Sequence, residues 1–212
     1  IVPVRASQKK SVGVLVASIV WLAVVGVATA LMVRYSNTPG SARFAPPTWP
    51  AQSQIPFERN HPTLIMFAHP HCPCTRASLS ELARLLTQIS DKVNTYVVFL
   101  KPDGTPADWD KTDLWRTASS IPGVIVISDK TGAEARRFHA ETSGQTLLYN
   151  QTGALLFQGG ITLARGHEGD NPGRTALQDL LRIGHTDQTN TVVFGCGLFE
   201  AQCEKGTVVC KP

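Results

Sequence analysis

Five cysteines are the residues in this chain best suited to chemistry, and their spacing narrows what that chemistry is. Cys72 and Cys74 flank one proline in the run Phe67-Ala68-His69-Pro70-His71-Cys72-Pro73-Cys74-Thr75-Arg76. A thiolate is the reactive form of cysteine, and the free N–H groups and dipole of a helix N-terminus favour it. Pro73 disfavours helical geometry at Cys72 and itself fits a first helical turn, so Cys72 is expected at a helix cap. His69, His71 and Arg76 would add positive charge beside it. Residues two apart have α-carbons at most about 7 Å from each other, whereas a disulfide wants roughly 4.4–6.8 Å. A Cys72–Cys74 disulfide is therefore feasible but strained, and a strained disulfide is an oxidising one, suited to donating or reshuffling disulfides. That chemistry requires no cofactor. The same sulfurs are soft ligands, so a Cu(I) site of Cys72, Cys74 and His71 is the competing reading.

Cys196, Cys203 and Cys210 recur at equal intervals near the C-terminus. Two of the three are expected to form a structural disulfide; pairing with another chain, or relaying electrons to Cys72 and Cys74, are the alternatives. Their spacing is wider than the close ligand pairs of a zinc site.

The elements that must position these residues follow from hydrophobic pattern. Residues 64–68 form a continuous apolar run fit for a buried strand, and from Pro73 the leucines 79, 82, 85 and 86 and Ile89 recur at helical spacing. Strands are predicted over 93–100 and 123–127, with helices over 112–120 and 132–139. Residues 146–149 and 154–157 flank an Asn-Gln-Thr-Gly turn and read as a hairpin. A last helix is predicted over 174–183, behind Asn171 and Pro172.

This β-α-β-α-β-α-β-β-α order, with a cysteine pair where the first strand gives way to a helix, resembles the thioredoxin superfamily across residues 62–184. The resemblance implies an α/β fold, with Cys72 at the nucleophile position and Thr75 where the resolving cysteine would stand, so Cys74 is displaced by one residue. It also implies a cis-proline before the hairpin, where this chain has Thr142-Ser143-Gly144-Gln145. The glycine-rich loop from Gly159 to Asn171 would lie near the active-site end, with Arg165 and His167 lining the cleft. Read from composition alone, it is a structural loop whose Asp170 and Asn171 cap the last helix. Together with the His-Pro-His-Cys-Pro-Cys segment, the loop resembles the RedB-type thioredoxin-like proteins. The Sco-like copper proteins are similar in overall plan. They use a wider cysteine spacing and a histidine just before the hairpin, whereas His139 here lies several residues early.

Residues 12–33 hold no charged side chain and suffice, at about 1.5 Å per residue, to cross a hydrocarbon core of about 30 Å. Arg5, Lys9 and Lys10 precede this stretch, which favours a cytoplasmic N-terminus and an extracytoplasmic, periplasmic C-terminal part. A cleaved signal sequence would have a shorter apolar core. The expected organisation is a cytoplasmic stub (1–11), a transmembrane anchor (12–34), a Pro-rich tether (35–60), a thioredoxin-like domain (61–185) and a cysteine-bearing tail (186–212). Phe44, Trp49 and Phe57 are candidates for packing part of the tether onto the domain. Net charge is +4 with Lys and Arg dispersed, which argues against nucleic acid as a partner. Expected partners are the bilayer and protein thiols or disulfides. Three functions fit: a membrane-tethered thiol–disulfide oxidoreductase, a Cu(I) metallochaperone, or a non-catalytic subunit of a larger membrane complex.

Overall fold

The structure is a computed structural model and describes residues 5–199. The chain divides into two compact units, one ending at Thr38 and one beginning at Pro39. The first is a single helix, α1 (Arg5–Ser36). Its stretch Val12–Ser36 has a mean hydropathy of 2.5 and is long and apolar enough to cross a membrane.

The second unit is built on a five-stranded sheet. Its strands are β1 (Thr63–Ala68), β2 (Asn94–Lys101), β3 (Val124–Lys130), β4 (Thr146–Tyr149) and β5 (Leu155–Gly159). They lie in the order β3-β2-β1-β4-β5, with β1, β2 and β3 parallel, β4 antiparallel to β1 and β5 antiparallel to β4. Central strands buried on both faces read as unbroken apolar runs, and β1 is buried along its whole length. Alternation along the strands then sorts the core. Leu64, Met66, Val97, Phe99 and Leu148 pack against α2 (Thr75–Leu86), α3 (Asp113–Ser119) and α5 (Pro172–Ile183) through Leu79, Leu82, Leu85, Leu114 and Leu177. On the opposite face Ile65, Phe67, Tyr96, Val98, Leu147 and Tyr149 pack on α4 (Ala133–Arg137) and Phe138.

Two polar clusters tie the layers together. Asn171 caps α5, its side chain accepting from Arg174 N–H at 2.8 Å, and Gly184 closes the helix in a left-handed conformation. The carboxylate of Glu81, fully buried on α2, accepts from Arg84 (2.9 Å), Gly169 N–H (2.8 Å) and Arg174 (2.7 Å). It thereby fixes α2 to α5 and to the loop that precedes α5.

Residues 39–57 depart from the expected tether. They run along the second unit and are part of it: Trp49 N–H donates to Gly153 O (2.7 Å), Leu155 N–H to Pro47 O (2.9 Å), and Tyr149 OH to Pro46 O (2.9 Å). Proline-rich backbone keeps few donors, so it is held here through its carbonyls and its aromatic rings. Trp49 stacks on Phe57 at 4.6 Å and meets Phe138 and Tyr149 edge-on. Phe44, by contrast, is 78% exposed.

Candidate active site

Helix α2 begins one residue after the cysteine pair. Its N-cap is Cys74, in right-handed helical geometry, so Cys72 stands two positions outside the helix and does not cap it. The turn is tight: Cys72 N–H donates to His69 O (3.1 Å), Thr75 N–H to Cys72 O (3.1 Å), and Ser78 N–H to Cys74 O (3.4 Å). Pro73 therefore belongs to a turn that leads into the helix, and the first regular helical residue is Thr75.

The Cys72 sulfur is enclosed by hydrogen-bond donors. The thiol of Cys196 donates to it, as do the Cys196 backbone N–H (N to Sγ, 3.4 Å), the Thr75 hydroxyl and the Cys74 N–H. The Cys196 thiol is the strongest of these influences. Against the opposing effect of burial, they lower the pKa of Cys72 to about 5 from an ordinary 9.0. The sulfur is thus held as a thiolate at neutral pH. It is also closed off: Cys72 is 1% exposed, where a freely reactive sulfur was the expectation.

The cations predicted to activate Cys72 are engaged elsewhere. Arg76 is exposed and pairs with Asp113 on α3. His69 and His71 pack edge-on around Trp109, with centroids 5.6 and 4.6 Å away, and His71 Nε2 meets Trp109 O at 3.1 Å. The backbone N–H of His69 donates to Ser143 Oγ (2.8 Å), which in turn bonds the Thr75 hydroxyl (2.7 Å). The copper set of Cys72, Cys74 and His71 is not assembled. Among the described residues no three His, Cys, Asp or Glu side chains are grouped to hold a metal ion.

Cys74 differs from Cys72. Burial, and then the negative charge of Cys72, push its thiol up, while the Arg165 guanidinium hydrogen-bonded to it opposes them in part. Arg165 is therefore at the site, and it also donates to Gly195 O at 2.5 Å. His167 is exposed on the same loop, its N–H donating to Ala164 O (3.2 Å).

Cys196 is a free thiol and stands at the site, the position that the electron-relay alternative would give it. Cys203 and Cys210 lie outside the described residues. The segment carrying Cys196 lies against residues 141–143, where the superfamily resemblance put a cis-proline. Ser143 N–H donates to Cys196 O (2.8 Å), Leu198 N–H to Glu141 O (2.8 Å), and Thr142 and Gly197 form an antiparallel bridge. Gly144 and Gln145 complete the join to β1 through Gly144 N–H to Phe67 O (2.7 Å) and Phe67 N–H to Gln145 O (2.9 Å). One signal was available in the sequence: Cys196 sits between two glycines, and glycine permits close backbone approach. A Cβ on Gly195 would lie 2.0 Å from Ser143 O. Gly195→Ala is accordingly expected to lift this segment and open the sulfur. Overpacking costs about 1–3 kcal/mol, which makes alkylation of reduced Cys72 roughly tenfold faster or more. Timed iodoacetamide labelling at neutral pH measures it, with an unchanged rate counting against the packing described.

The strand order and directions, the flanking helices and a cysteine ahead of α2 define a thioredoxin-like fold. Solved structures agree. An uncharacterized conserved protein from Geobacillus kaustophilus superposes with a TM-score of 0.56 at 19% identity, over 77% of this chain and 93% of its own. A hypothetical protein from Sinorhizobium meliloti 1021 gives 0.59 at 16% identity, over 76% and 96%. A secreted Mycobacterium tuberculosis disulfide oxidoreductase homologous to E. coli DsbE gives 0.37 at 14% identity, over 47% and 68%. At these identities the first two speak to the fold alone, and the third carries no argument. No family model and no curated protein sequence matches the chain.

Proposed function

We propose that this chain is a membrane-anchored, extracytoplasmic thiol–disulfide oxidoreductase in which Cys72 of the Cys-Pro-Cys motif is the attacking sulfur. One observation carries the reading: the Cys72 sulfur faces four neighbouring donors at the entrance to α2, which favour its thiolate. Thiolates are the nucleophiles of disulfide exchange, and a stabilised thiolate is also a good leaving group. Cys74 and Cys196 flank it, and either would complete a two-electron couple. Because the low pKa stabilises the reduced form, the couple is biased toward donating disulfides. The apolar stretch Val12–Ser36 and the Arg5, Lys9 and Lys10 residues ahead of it support the anchor and its orientation. Only on the exported side would such a disulfide persist.

The test is turnover of a dithiol peptide by the oxidised, detergent-solubilised protein. Oxidation of the peptide is expected to fall to the uncatalysed rate in Cys72→Ser. Equal rates in the variant and the parent protein would remove this reading and leave the domain as a non-catalytic subunit. Orientation is checked separately by an alkaline phosphatase fusion after Pro212, which is active only if exported.

A further inference from the structure

The motif offers Cys74 as the natural partner for Cys72, but the geometry favours another sulfur. Cys74 lies in helical conformation (φ −66°, ψ −26°) at the first turn of α2. The Cys74 thiol also reaches the Cys72 sulfur by a hydrogen bond. Joining the two would, however, close a strained ring across a single residue of that turn, which the Thr75 N–H to Cys72 O and Ser78 N–H to Cys74 O bonds hold in shape. Arg165 also holds the Cys74 sulfur in place.

Cys196 meets neither obstacle. Its backbone nitrogen is 3.4 Å from Cys72 Sγ, which puts its α-carbon within about 4.9 Å of that sulfur, given an N–Cα bond of about 1.46 Å. Its thiol already points at Cys72. Three backbone contacts keep it in register: Ser143 N–H to Cys196 O, Leu198 N–H to Glu141 O, and Arg165 to Gly195 O. Gly40 N–H, donating to Val193 O at 2.9 Å, secures the same segment upstream. A bond between the two sulfurs needs side-chain rotation and leaves the backbone ladder intact.

We propose that Cys196 is the resolving sulfur, so that the oxidised protein carries a Cys72–Cys196 disulfide. This deepens the oxidoreductase reading and rests on it. In the reductive direction the Cys72 thiolate attacks one sulfur of a substrate disulfide. That bond breaks, a Cys72–substrate disulfide forms, and the departing substrate sulfur takes up a proton from solvent. Cys196 then gives up its proton and attacks Cys72 Sγ. The second substrate sulfur leaves with the electron pair and receives that proton. The substrate disulfide gains two electrons and becomes a dithiol, and the protein dithiol becomes the Cys72–Cys196 disulfide. Disulfide donation is the same sequence reversed. Since Cys72 is closed off by the segment that carries Cys196, a substrate reaches it by displacing that segment from residues 141–143.

The experiment uses the full-length protein in detergent, in a Cys203→Ser/Cys210→Ser background, with glutathione disulfide as the probe. Trypsin without reduction releases peptide 60–76, which holds Cys72 and Cys74, and peptide 183–205, which holds Cys196. Mass spectrometry of the oxidised protein is expected to find the two peptides joined, and still joined in Cys74→Ser. In Cys196→Ser a Cys72–glutathione adduct is expected to accumulate, and in Cys74→Ser it is expected to stay transient. Disulfide closure within peptide 60–76, with the adduct accumulating in Cys74→Ser instead, would overturn the assignment while leaving the oxidoreductase reading intact. Complete absence of Cys72 oxidation by glutathione disulfide would remove that reading and this one with it. The peptide mapping needs no variant at position 196, so a misfolded Cys196→Ser protein does not protect the proposal.

Discussion

Titration of the reduced protein by its thiolate absorbance is expected to show one sulfur ionising near pH 5. The prediction follows from the donors around Cys72, led by the Cys196 thiol, which lower its pKa from 9.0 to about 5. That change multiplies the acid dissociation constant by about ten thousand. Absorbance reports ionisation without requiring a reagent to reach the buried atom, so closure of the site does not mask the result. Cys72 is thiolate above pH about 5 and thiol below it. Because the folded-state value is depressed, its contribution to the stability of the reduced protein is complete above pH 9 and is lost as the pH falls through about 5. The oxidised protein lacks this dependence. Removing the leading donor in Cys196→Ala should raise the midpoint by about one unit or more, the worth of one charge-assisted hydrogen bond. A midpoint that stays near 5 in that variant would assign the effect to the remaining donors, and a wild-type midpoint near 9 would dismiss the thiolate altogether.

The second large effect is on stability. Glu81 is fully buried, yet it accepts from two arginines and a backbone N–H, joining α2, α5 and the loop that bears Arg165. Glu81→Ala strips Arg174, whose side chain is 14% exposed, of its buried partner and leaves it only the exposed Asp170 carboxylate at 2.8 Å. Removing one partner of such a pair typically costs about 3–5 kcal/mol. A denaturant midpoint measured on detergent-solubilised protein should fall accordingly. Glu81→Gln, which keeps an acceptor for Gly169 N–H, should fall less. Equal midpoints for Glu81→Ala and the parent protein would mean that the cluster contributes nothing net.

Most of the architecture was legible in residue pattern, and the reason is local. The leucines of α2, the apolar run of β1 and the Asn-Gly hairpin turn each carry their own signal within a few residues. Strands β1, β2 and β4 and helices α2, α3 and α5 accordingly fall within a few residues of expectation. The site was legible only where it is local too. Cys72 and Cys74 were evident, but the leading donor to Cys72 is not encoded beside it. His69, His71 and Arg76 sit close in sequence, yet Trp109 and Asp113 draw them aside. The effective donor comes from 124 positions away. A contact of that kind depends on register along residues 141–143, and periodicity carries no information about it. The proline-rich stretch misled for a related reason. Its composition speaks against helix and central strand, but says nothing about whether carbonyls and aromatic rings will find partners elsewhere.

The course of residues 39–57 governs how this unit can be cut for study. A recombinant fragment begun near residue 60, just ahead of the first strand, would strip Trp49 and Ile55 from the rings of Phe138 and Tyr149. It would also deprive Glu134 of Ser53 and Gln54, which donate to it at 2.7 and 3.1 Å. A trim at the other end near residue 185 would discard Cys196 and bare the Cys72 sulfur to water. The smallest faithful truncation therefore starts at Pro39 and extends past Leu198, some way outside the limits that the strands and helices alone would suggest.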